Sequence, residues 1–158
     1  MLPNDNLIEK GLLIVTGSTV RAEQADRPLA YRLKSYIERL LTNANDDFIM
    51  VVLSDVWYLN AEPLRRLPVI SIGGPSVNAV SAYLYKRLDS ALAVDDTLLI
   101  QMDPQLQDLR VSLWGMNHKT TEDALDIFIE RGHLRRFIEA VTDRIESKGW
   151  RVERRQKK

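Results

Sequence analysis

Ten residues of this chain have the types and positions that chemistry would use, and they fall in four polar stretches that each follow an apolar run. The first stretch, TGSTVR, offers the hydroxyls of Thr16, Ser18 and Thr19 and the guanidinium of Arg21, whose fork of donors matches a carboxylate or phosphate. The second supplies one acid, Asp55, at a strand end where doubly wound folds place ribose-contacting or catalytic carboxylates. In the third, GGPSVN, Gly73 and Gly74 lack side chains that would hold a ligand away from the backbone. Ser76 and Asn78 stand beside a helix start whose free N–H groups attract anions. The fourth, GMNHKT, holds His118, the better placed of the two histidines for acid–base work.

Each of these groups also has a purely structural use. Gly73-Gly74 suits a sharp strand-to-helix turn, with Pro75 in the first helical turn and Ser76 or Asn78 as a cap. Asp55 can accept loop N–H groups, and Arg21, Glu23, Asp26 and Arg27 can pair with one another. The named catalytic and phosphate motifs are missing. GGPSVN is neither GxGxxG nor GxxxxGK[ST], no Gly-x-Ser-x-Gly elbow surrounds Ser18 or Ser76, and no HExxH or cysteine pattern suggests a metal. Asp55 has no sequence-assigned carboxylate partner, so a catalytic acid pair is not indicated. The sequence names no cofactor.

The elements that must position these residues follow from the apolar pattern. Gly11 to Gly17, Phe48 to Leu53 and Val69 to Ile72 are short apolar runs of the kind buried on both faces of a parallel sheet. Leu29, Leu33, Tyr36, Ile37, Leu40 and Leu41 predict an amphipathic helix, with Asp26 and Pro28 marking its start. Val77, Val80, Leu84 and Leu88 predict a second helix. Thr97 to Met102 and Arg110 to Trp114 are too close together for a helical crossover and predict an antiparallel hairpin. Two helices follow: one capped around Thr120-Thr121 and ending at Gly132, and one opened by His133. The order implies one three-layer α/β domain over residues 1–150, Rossmann-like or flavodoxin-like. Its sheet is mixed but mostly parallel, with about five strands. In such a sheet the four polar stretches share the edge at the C-terminal ends of the strands.

Composition narrows the partners. With 158 residues and 45% apolar content the chain can bury a core. Its 22 basic against 22 acidic residues leave no net field to draw nucleic acid or an anionic membrane. Residues 151–158 form a basic tail, read as a solvated end. No cysteine is present, and the acidic lead and short apolar run at the N-terminus do not resemble a signal peptide, which fits a cytoplasmic protein without a membrane partner.

The motifs GGPSVN and, after a later strand, WGMNHKTTEDAL resemble the GGPxxN and G-x5-T-x2-A spacing of small α/β modules in archaeal S-layer and related cell-surface proteins. That resemblance implies a structural or interaction module. Two expectations stand side by side. One is an α/β domain that binds a small polar or anionic ligand, such as a nucleotide or sugar derivative, through the ten residues above. The other is a non-catalytic module acting through homo-oligomerisation.

Overall fold

The computed structural model describes residues 10–41, 48–94 and 97–149; the basic tail lies outside them. Gly11–Thr16 forms β1, buried at all six positions. Its alternation sends Leu12 and Ile14 to one face of the sheet and Leu13 and Val15 to the other. Helix α1 (Val20–Leu40) leads to β2 (Ile49–Ser54), which pairs parallel with β1. A short α2 (Asp55–Asn60) and the 3-10 turn Glu62–Arg66 then return the chain to β3 (Val69–Ile72), parallel to β1 on its other side.

After β3 come α3 (Ala79–Tyr85), β4 (Ser90–Val94), β5 (Leu98–Met102) and β6 (Arg110–Gly115), then α4 (His118–Glu130) and α5 (His133–Ser147). β6 pairs parallel with β3, and β5 pairs antiparallel with both β6 and β4. The sheet order is β2-β1-β3-β6-β5-β4. The chain is thus a mixed, mostly parallel α/β sheet with helices on both faces. The C-terminal ends of β2, β1, β3 and β6 share one edge.

The two faces are covered unequally. α1, α4 and α5 bury the larger core, in which Leu33, Ile37, Phe128, Phe137 and Val141 pack on Leu12, Ile14, Ile70 and Val111. The opposite core is smaller: Tyr58 of α2 and Val80 and Leu84 of α3 cover Leu13, Val15, Leu53 and Val69.

Four details differ from the sequence expectation. α1 begins at Val20, capped by the Thr19 hydroxyl on the Ala22 N–H, not at Asp26 or Pro28. The reason is that Ala22 and Asp26 continue the buried stripe of Leu29, Leu33 and Ile37 by more than one turn. Pro28 lies on the exposed side of this helix. α4 begins at His118, because Asn117 and Thr120 form a reciprocal cap one turn earlier than the Thr120-Thr121 pair suggests. α3 runs only from Ala79 to Tyr85, so Val77 precedes it and Leu88 follows it. Among the described residues the sheet has six strands, since Ser90–Val94 adds an outer strand with little apolar alternation to betray it.

The hairpin between β5 and β6 is closed by Asp103, whose carboxylate accepts the N–H groups of Gln105, Gln107 and Asp108 at 3.0, 3.0 and 2.9 Å. Those amides, Asp108 foremost, hold the Asp103 carboxyl below its ordinary range.

Candidate functional site

At the C-terminal edge, the crevice between β1 and β3 is the place where strand order reverses and where ligands of open α/β sheets commonly sit. Here it is shut. Gly17 packs so closely on the loop after β3 that a Cβ there would overlap the Val77 carbonyl oxygen. Asn78 lies beneath, buried, and its amide nitrogen donates to Ser71 Oγ at 3.0 Å and to the Ile72 carbonyl at 2.9 Å. Its amide oxygen accepts the N–H groups of Val80 and Ser81, so the same side chain caps α3. Asp55, also buried, accepts the Val56 and Ala79 N–H groups at 2.8 Å and ties the end of β2 to the start of α3.

One strand further along the sheet the edge opens. A cleft of about 120 Å³ is bordered by Arg21, Ala22, Ala25 and Asp26 of α1, by Gly74, Ser76 and Val77 after β3, and by Gly115, Met116, Asn117, His118 and Thr121 at the start of α4. Its two helical walls are tied together by Arg32 on α1, which donates to Asp126 on α4 at 2.6 Å.

Asp26 distinguishes this cleft. It is 6% exposed, and among the described residues no donor forms a hydrogen bond with its carboxylate. Burial raises its pKa above the ordinary aspartate value, and the nearby His118 and Arg21 pull it back only in part. Gly73 explains how the carboxylate fits. It adopts a φ of 113°, in the left-handed region that glycine enters without strain. Having no side chain, it leaves the space that Asp26 occupies: a Cβ there would lie 2.7 Å from Asp26 Oδ2. Gly73 therefore has a carboxylate against it, while Gly74 borders the cleft.

The ten residues singled out from the sequence thus separate. Arg21, Gly74, Ser76 and His118 line the cleft. Gly73 backs it through Asp26. Thr19 caps α1, Asn78 caps α3, and Asp55 binds two backbone amides. Thr16 is buried at the end of β1 and Ser18 is exposed outside the cleft. Asp26, Asn117 and Thr121 are cleft residues that sequence reasoning does not single out. Asp26 is visible as the one acidic position on the apolar stripe of α1, once the helix is extended back to Val20.

Asp26 and His118 interact through space, and among the described residues no hydrogen bond joins them or activates the Ser76 hydroxyl. No cluster of three or more His, Cys, Asp or Glu that could hold a metal occurs among the described residues. No described helix is long and apolar enough to cross a membrane.

A larger open hollow of about 480 Å³ lies at the opposite edge of the sheet, lined by Arg65, Arg66, Arg110, Arg144, Asp103 and Asp108 among others. Most of its charges are already used within the fold. Arg110 forms a two-pronged pair with Asp108 at 2.6 and 2.7 Å, Arg66 pairs with Glu62, and Arg144 donates to the Gln107 carbonyl. No protein-family model matches the chain, and no curated protein matches it.

Proposed function

We propose that this chain is a binding domain for a small polar ligand with an anionic group, held in the cleft between α1 and α4. The observation that carries the reading is the convergence of Arg21, His118 and the first turn of α4 on one recess. A helix start carries partial positive charge and N–H groups without intrahelical acceptors, and Arg21 adds a full charge beside it. Enclosed sites for drug-sized ligands begin at roughly 300 Å³. The recess is well below that size, so a whole nucleotide exceeds it, while a short acid or a single phosphate group does not.

Thermal denaturation of the purified chain with millimolar amino acids, short carboxylates, inorganic phosphate and a pentose phosphate tests this. At least one class should raise Tm, and Arg21→Gln, an exposed change, should remove most of that rise. A flat response across the panel, with unmoved amide resonances in the first turn of α4, would overturn the reading.

The interaction-module reading is favoured by a different observation. Trp57 is 65% exposed, and Val51 and Val56, in the same β2–α2 segment, are exposed as well. An exposed apolar group of this kind is a feature of association surfaces. Light scattering tests it: a strict monomer at high concentration counts against self-association, and a dimer lost in Trp57→Ser supports it.

A further inference from the structure

Resting on the cleft reading above, we infer that the ligand is a small zwitterion of the α-amino acid type, its ammonium on Asp26 and its carboxylate toward Arg21 and the start of α4. Three observations lead there. Asp26 is more than nine-tenths buried, faces the cleft, and accepts no hydrogen bond from any described residue. Buried carboxylates in folded proteins are paired or hydrogen-bonded, so a lone one facing a recess calls for a donor from outside.

The second observation is the opposite charge on the same recess. Arg21 lines it and acts electrostatically on Asp26, and α4 begins at its rim. A pure anion would be drawn by Arg21 and repelled by Asp26; a pure cation would meet the reverse. A molecule that carries both signs satisfies both walls.

Size is the third. The recess of about 120 Å³ is well below the roughly 300 Å³ at which sites for drug-sized ligands begin, so the two charges must sit close together on one small molecule. Alanine and serine have that form. The alanine or serine side chain would lie toward Ala22, Ala25 and Val77, which offer only small apolar surface.

Isothermal titration of the full chain with L-alanine, propionate and ethylamine separates the contributions, since each of the latter two lacks one charge. Alanine should bind roughly ten-fold or more tighter than either, the scale of one lost charge-assisted hydrogen bond. Asp26→Asn should lose the preference for alanine over propionate while remaining folded by circular dichroism, and Arg21→Gln should weaken alanine and propionate alike. Equal binding of alanine and propionate, unchanged in Asp26→Asn, would overturn the zwitterion inference and leave an anion cleft standing. If none of the three binds and the wider panel is also silent, both readings fall.

Discussion

The two openings of the C-terminal edge use similar residues to opposite ends. Between β1 and β3, Asn78 and Asp55 are buried polar groups whose hydrogen bonds all go to the protein itself, and the glycine at the contact lets two backbones meet. Between α1 and α4, Asp26 is similarly buried and yet accepts no bond from a described residue, and the glycine at the contact makes room for its carboxylate. A satisfied buried polar group strengthens a fold, whereas an unsatisfied one weakens it. The first crevice is therefore a joint held by the fold's own hydrogen bonds, whereas the second has a carboxylate on its wall with no hydrogen-bond donor among the described residues.

The sharpest way to break the joint is Gly17→Ala. Its Cβ would strike the Val77 backbone, which cannot rotate away as a side chain can. We expect a loss of about 4 kcal/mol or more in urea denaturation. Wild-type stability in that variant would mean that the two loops are not in contact.

Asn78→Ala comes next. It removes a cap and leaves the Ile72 carbonyl and the Val80 N–H without their side-chain partner. The same measurement should show a loss of about 2–4 kcal/mol.

The smallest effect has the opposite sign. Because the folded-state pKa of Asp26 is raised, its ionised form opposes folding, and that penalty grows as pH rises through the interval above the ordinary aspartate pKa. Below that value the residue is protonated in both states and the penalty is gone. Asp26→Asn should accordingly raise Tm by a few degrees at pH 7 and by nothing at pH 3, followed by calorimetry at both pH values. A lower Tm at pH 7 would place Asp26 in the joint's category, as a structural group with partners of its own.

Much of the frame was legible from residue order. The continuous apolar runs at Leu12–Val15 and Val69–Ile72 read as buried strands, and the short interval between Met102 and Arg110 as a hairpin, and the structure has both. The outer strand Ser90–Val94 was not legible, since it packs weakly on either face and so carries no alternation. The start of α1 was misread because the polar tract from Arg21 to Arg27 looks like a loop until Ala22 and Asp26 are seen to share a face with Leu29 and Leu33.

By itself, then, the sequence determined the layers and the edge on which polar residues gather, because periodicity and loop length are local properties of the chain. It could not decide which of those residues remain available. That choice depends on whether a hydroxyl, amide or carboxylate meets a backbone group from another element. Gly17 against Val77, Asp55 against Ala79 and Asp26 against Gly73 are encounters between segments at least 24 residues apart. Tertiary structure set them, closing one crevice and leaving a single carboxylate facing the other.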